Sequence, residues 1–192
     1  MSLNFKPYKT IWFNPKHTFQ SFNINQSNNT TIYYIPFFVL GISFGLSVGN
    51  EVSLLIDANP PWSQKLIIFL LSSLIGICFI AFFFGLIVPW VTHLKGKIWN
   101  GTASKKEITN VYSLSLIPYI LFVPYQLTLL VFRLNPSHES INAGFQFLLW
   151  IISIRALIIG ISTVQKFSYS ISLLNILLAV LPFLMMSLIM KA

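Results

Sequence analysis

Charge is scarce in this chain, and negative charge most of all: 4 Asp and Glu against 12 Lys and Arg in 192 residues, 8% charged. Soluble domains average about 25% charged residues, so an ordinary soluble fold is excluded. With so few acids, none deep inside an apolar run, an intramembrane carboxylate pair is excluded as catalytic machinery. Cys78 is the only cysteine. It rules out an intrachain disulfide and a thiolate zinc site, and reads as a small buried hydrophobe. His17, His93 and His138 stand apart, and no HExxH helix, Walker loop, GxSxG elbow or dinucleotide fingerprint is present. Serines within the apolar runs, such as Ser113, Ser153 and Ser172, have no evident base and fit backbone bonding or close packing. The expectation is a non-enzymatic protein without catalytic residues, metal or cofactor.

Apolar residues are abundant: 55% hydrophobic, 16% aromatic, 18 Phe, with a mean hydropathy of +0.75. About 20 apolar residues are needed to cross a hydrocarbon core as helix. Five segments qualify, at about 32–56, 66–91, 111–132, 143–164 and 167–190. They lack the alternation of a transmembrane barrel. The fold class expected is all-α: a polytopic membrane protein with five transmembrane helices (32–192), preceded by an N-terminal segment (1–31) carrying a short interfacial helix.

Basic residues set the orientation. Lys6, Lys9, Lys16, Lys95, Lys97, Lys105, Lys106 and Lys166 fall on one side, and Lys65, Arg133 and Lys191 on the other. Eight against three is a positive-inside signal for a cytoplasmic N-terminus and a C-terminus on the opposite side. The first 30 residues are polar and show no secretory signal, so the first span is expected to be retained. The net charge of +8 lies between apolar runs rather than along a basic face, which argues against nucleic-acid binding.

Gly41, Gly45 and Gly49 share one face of the first span, a small-xxx-small pattern that admits another helix closely, within this chain or in a second copy. Pro118-Tyr119 and Pro124-Tyr125 break the backbone bonding of the third span, for a bent packing or a cavity lining, and Pro182 does the same in the fifth. Asn14 and Pro15 read as N-cap and first residue of a helix. Trp12, Phe13, Phe19 and Phe22 would dip into the membrane interface while Lys16 and His17 face headgroups, and residues 23–31 form a polar tether. Ser104 and Glu107 have capping-box spacing, starting the third helical segment early. Trp12, Lys16, Lys95, Lys97, Lys105 and Lys106 are candidate contacts for anionic headgroups or a partner, or topology determinants alone. Three glycosylation-type sequons, at Asn28, Asn29 and Asn100, fall on the cytoplasmic side and are discounted.

Arg155 interrupts the apolar run 145–164 without an acidic partner. An intramembrane charge costs several kcal/mol, roughly 3 on insertion scales, and marks a candidate site. Arg155 and Asn175 each lie ten residues from Gln165, hence about 15 Å from the turn on antiparallel neighbours. One reading has Arg155 facing inward with Asn175, Ser162, Tyr119 and Tyr125 as a midplane site for an anion or lipid phosphate. The other has it snorkelling outward to headgroups.

The elements Trp12-Phe-Asn-Pro-Lys-His-Thr-Phe19, Gly101-Thr-Ala-Ser-Lys-Lys-Glu107, Val111-Tyr-Ser-Leu-Ser-Leu-Ile-Pro118 and Gly160-Ile-Ser162 to Lys166 occur in that order around five spans. In this the chain resembles the Yip domain family (Ypt-interacting-protein type), over nearly its whole length. The resemblance implies a five-span domain with a cytoplasmic N-terminus. Eukaryotic relatives act in early secretory membranes with Rab/Ypt GTPases, through a longer N-terminal region. Residues 1–31 hold no acidic aromatic motif, which argues against GTPase binding. The compact form is similar to prokaryotic members of the plasma membrane, some associated with ABC-type exporters and envelope stress protection. The role expected is an adaptor or accessory subunit for other membrane proteins, with anionic lipids and self-association as further partners. The alternative is a small transporter, channel or lipid-handling protein built on Arg155.

Overall fold

The computed structural model describes residues 6–21, 31–56, 61–131 and 139–189, and every regular element among them is helical. Two short helices, α1 (Lys6–Phe13) and α2 (Pro15–Ser21), precede the apolar helices α3 (Thr31–Ile56) and α4 (Trp62–Phe82). From α4 the chain continues unbroken through a π-helical turn (Phe83–Ile87) into α5 (Val88–Gly96) and a 3-10 turn (Lys97–Trp99). The third run comprises α6 (Lys105–Ser115), a 3-10 stretch (Ile117–Leu121) and α7 (Phe122–Val131). Helices α8 (Glu139–Gln165) and α9 (Tyr169–Ile189) complete the bundle. Among the described residues four runs are long and apolar enough to cross a membrane, and α9 adds the shorter apolar stretch Tyr169–Pro182. This is an all-α polytopic membrane protein.

The third run is the axis of the bundle. Two thirds of its apolar window is buried (67%), against 17–33% for the other three, whose surfaces are left for lipid. Ile108, Val111 and Leu114 of α6 have no exposed surface and centre the main apolar core. The backbone adapts to Pro118 by tightening: the amides of Leu116 and Tyr119 bond the carbonyls of Ser113 and Leu116, three residues back. Such 3-10 bonding accommodates a proline whose missing N–H would leave an α-helical carbonyl unpaired. Around this break Tyr119, Phe122, Tyr125, Phe145 and Trp150 pack ring against ring, with centroids 5.1–6.4 Å apart.

The glycine face of α3 is used inside the chain. A Cβ on Gly41 would overlap the backbone of Ile77, and one on Gly45 the backbone of Ser72 and Ser73. At Gly49 it would lie 2.8 Å from the Phe69 ring. The partner is therefore α4. Gln126 of α7 clasps the same helix from the other side, accepting a hydrogen bond from Ser43 (2.6 Å) and donating one to Ser47 (3.0 Å). Cys78, expected to be buried, is exposed on α4, where lipid gives a small apolar side chain the environment a core would.

The end of α5, the start of α6 and the end of α8, which carry Lys95, Lys97, Lys105, Lys106 and Lys166, meet at one end of the bundle. Asn14 caps α2 by accepting the His17 amide at 3.1 Å. The α1–α2 pair is docked on protein rather than simply immersed in lipid: Ile11, Thr18 and Phe19 are buried, and Trp12 packs on both apolar cores. Phe19 lies over Gly160 of α8, where a Cβ would come within 2.8 Å of its ring. Of the aromatic residues expected at the interface, Phe13 is outward, at 89% exposure, and Phe22 lies outside the described residues. So do the tether at 23–30, the sequon residues Asn28 and Asn29, Asp57, Arg133, His138 and Lys191.

Candidate functional site

Polar side chains that are wholly buried collect beneath the lysine-rich loop, at the ends of α5, α6, α8 and α9. Two helix ends create the setting. The 3-10 turn after α5 closes with Asn100 in the left-handed region (φ 58°), and the Gly101 amide bonds the Gly96 carbonyl at 3.0 Å. Helix α8 closes the same way: Lys166 is left-handed (φ 60°) and the Phe167 amide bonds the Ser162 carbonyl at 3.1 Å. Both are Schellman-type ends, which pair otherwise orphaned carbonyls and reverse the chain sharply. Ser162 adds a hydroxyl bond to the Phe167 carbonyl at 2.7 Å.

Gln165, the last residue of α8, joins the two corners. It is 1% exposed, and its Oε1 accepts the Ala103 amide at 3.4 Å. Its amide lies where a Cβ on Gly96 or Gly101 would stand, so only glycine fits those two positions without displacing it. Trp99 and Phe167 meet edge to face across the junction at 6.4 Å. Asn175 of α9, with no exposed surface, donates to the Thr92 carbonyl at 3.2 Å. Thr92 donates its hydroxyl to the Val88 carbonyl at 2.9 Å and lies 2.8 Å from the Tyr112 hydroxyl, which must then be the donor of that pair. His93 pairs through Nδ1 with the Ala103 carbonyl at 3.0 Å. The Ser104–Glu107 capping box forms as its spacing predicts, and starts α6 at Lys105. Outside the spans, burial pushes the Tyr8 phenol up to about 12.

Chemically, this is a rigid mount. Its bonds go to the backbone of α5 and to Ala103 of the loop, while Gln165 Nε2 and Asn175 Oδ1 are buried without a partner, and no nucleophile stands beside a base in it. It fixes a basic loop, with Lys95 and Lys105 half-buried and Lys97 and Lys106 exposed. Lys16 is exposed on α2.

The residues expected to form a midplane site are separated. Arg155 is exposed on the outer face of α8, whereas Asn175 is buried and bonded to Thr92. No hydrogen bond joins Arg155 to Asn175, whose Nδ2 bonds Thr92 and whose Oδ1 has no partner. Ser162 closes the helix end, and Tyr119 and Tyr125 belong to the aromatic packing around the proline break. Sequence reading treated Gln165 as a turn marker and passed over Thr92 and Gln126. The available signal was polar side chains inside or just beyond apolar runs, with Gly96 and Gly101 bracketing the loop.

Comparison with known proteins bears on the whole chain. The family model described as the Yip1 domain matches residues 9–190. No curated protein and no solved structure matches the chain. The match runs from within α1 to the last apolar helix, and the chain belongs to the Yip1 domain family.

Proposed function

We propose that this protein is a non-enzymatic membrane adaptor, holding a basic, cytoplasmic loop and helix pair against one or more other membrane proteins. The observation that carries the reading is the outward position of Arg155. An interior binding protein would turn its one intramembrane charge into the bundle. Here the charge is on the outer face, among exposed Ile151, Ile154 and Leu148. Interior polar groups such as Asn175 and Gln126 bond within the bundle instead. An outward guanidinium bordered by apolar side chains suits an acidic residue on a neighbouring transmembrane helix. An exporter or membrane-stress system is the partner class that fits the family resemblance. The lysine distribution supports a cytoplasmic N-terminus, and the resemblance to compact prokaryotic members supports a plasma membrane.

The test is photocrosslinking in intact membranes from positions 151 and 158, beside Arg155. A protein adduct of defined mass is expected, lost in Arg155→Ala and retained in Arg155→Lys. Labelling of lipid alone, unchanged by either substitution, would show that Arg155 only snorkels and would remove the basis of the adaptor reading.

A further inference from the structure

A cleft of roughly 350 Å³ opens beside the N-terminus of α6, between Tyr34 of α3, Gly85 and Leu86 of the π-helical turn, and Lys105, Lys106 and Asn110 of α6. We propose that it binds the phosphate headgroup of an anionic phospholipid. The inference does not depend on the adaptor reading.

Depth is the first argument. The helical run Trp62–Trp99 has 38 residues, or about 57 Å at 1.5 Å per residue. A 30 Å hydrocarbon core would demand a tilt of about 58° to contain it, well beyond the observed range of 0–40°. The run therefore leaves the hydrocarbon, and its His93- and lysine-containing end is the part that protrudes. Measured from Trp62, the π-helical turn begins about 32 Å along the axis, at the boundary of the core. The cleft thus opens at headgroup level.

Its chemistry is the second argument. Two ammonium groups, Lys105 half-buried and Lys106 exposed, stand on the first two residues of α6. There the helix dipole adds positive potential. Glu107, the nearest acid, is held away from the cleft by the amide (2.6 Å) and hydroxyl (2.8 Å) of Ser104. Asn110 lines the cleft while only 4% exposed, and its Nδ2 has no hydrogen-bond partner. A buried amide donor left unpaired is destabilising, a deficit that an anionic oxygen would remove. Thr109 is not available as a donor, since its hydroxyl bonds the Lys105 carbonyl at 3.1 Å.

Shape is the third. The π-helical turn supplies Gly85 and Leu86 to the wall of the cleft, with Phe37 closing the space beyond Gly85, 3.7 Å from where its Cβ would stand. Such turns recur at functional positions. The cleft is at the lower end of the usual ligand-pocket range of about 300–1,000 Å³, enough for a headgroup and too small for acyl chains. Leu86 (46% exposed), Tyr34 (50%) and Phe38 (51%), one helical turn from Tyr34, provide an apolar rail outside it along which a chain can lie. That rail favours a lipid over a soluble phosphate.

The experiment is thermal unfolding of the full chain in a neutral detergent, with added phosphatidylglycerol, phosphatidylcholine or glycerol phosphate. Phosphatidylglycerol at saturating excess should raise the Tm by about 4 °C or more through mass action; the other two should not. Asn110→Leu and the double variant Lys105→Gln/Lys106→Gln should lose that shift. Lys95→Gln/Lys97→Gln, the same charge change on the neighbouring loop, should keep it. The surface lysine pair keeps the test open should the Asn110 variant misfold. Equal shifts with phosphatidylcholine or glycerol phosphate would overturn the proposal. So would a shift that survives in the Lys105/Lys106 variant, or is lost equally in the Lys95/Lys97 variant.

Discussion

Gly41 and Gly76 bring the backbones of α3 and α4 into direct contact: a Cβ on Gly76 would overlap the Gly41 carbonyl oxygen, and one on Gly41 the Ile77 backbone. A backbone obstacle cannot rotate away as a side chain can. Gly41→Val or Gly76→Val should force the two helices apart, at the 1–3 kcal/mol or more typical of overpacking. Thermal unfolding in detergent should show both variants melting several degrees lower. Because the glycine face is already covered by α4, cysteines placed at 41 or 45 should not crosslink two copies of the chain. Efficient crosslinking between copies would instead mean that this face is open.

The docked N-terminal helices carry a pH dependence. Burial raises the Tyr8 phenol from 10.0 to about 12, so the folded state holds that proton more tightly than the unfolded state. Its contribution is complete below pH 10 and is lost as pH rises through about 12. Protease accessibility of the α1–α2 segment should therefore increase over that window, and Tyr8→Phe should flatten the increase. A profile identical in the two proteins would show that another group governs the detachment.

Local signals were legible in the sequence and directional ones were not. The apolar runs and the Ser104–Glu107 capping box depend on a few consecutive residues, and α3 (Thr31–Ile56) and the start of α6 at Lys105 lie where those residues place them, whereas the second run continues past the expected end at 91 to Trp99. The glycine face of α3 was equally visible, but the same spacing serves an intrachain helix or a second copy, and only the tertiary contact with α4 decides. Arg155 presented a harder problem. Helix α8 is apolar on every side, so its periodicity carries no record of which face is inside. The N-terminal aromatics were ambiguous for a related reason: Phe19 suits a bilayer interface as well as the groove over Gly160 that it fills. Gln165 acts through residues more than 60 positions away, which no local pattern reports.

The Thr92–Tyr112 pair should behave as a coupled unit. Thr92→Val removes the acceptor and leaves the buried Tyr112 hydroxyl (3% exposed residue) without this partner, which should cost about 1–3 kcal/mol. Tyr112→Phe leaves Thr92 still bonded to the Val88 carbonyl and should cost less. In the double variant no orphaned hydroxyl remains, so its loss should fall clearly below the sum of the two single losses. Chemical or thermal unfolding of the four proteins measures the coupling. Strict additivity would mean that the 2.8 Å approach contributes nothing specific.

Arg155 and Asn175 stand at equal distance from the same turn, yet the structure gives them opposite surroundings, and substitution should separate them. In detergent Arg155→Leu replaces an exposed cation with a residue like its neighbours, so stability should change by no more than about 0.5 kcal/mol. Asn175→Leu removes the donor to the Thr92 carbonyl and places a branched side chain beside Gly96, where the Asn175 amide lies 3.3 Å from the Cβ position. A loss of about 1–3 kcal/mol should follow, with the loop over Gln165 loosening first. Limited proteolysis near Lys97 should therefore accelerate in the Asn175 variant and stay at the parent rate in the Arg155 variant. The reverse ranking would place Arg155 inside the bundle, and the outward-facing charge on which the adaptor reading rests would be gone.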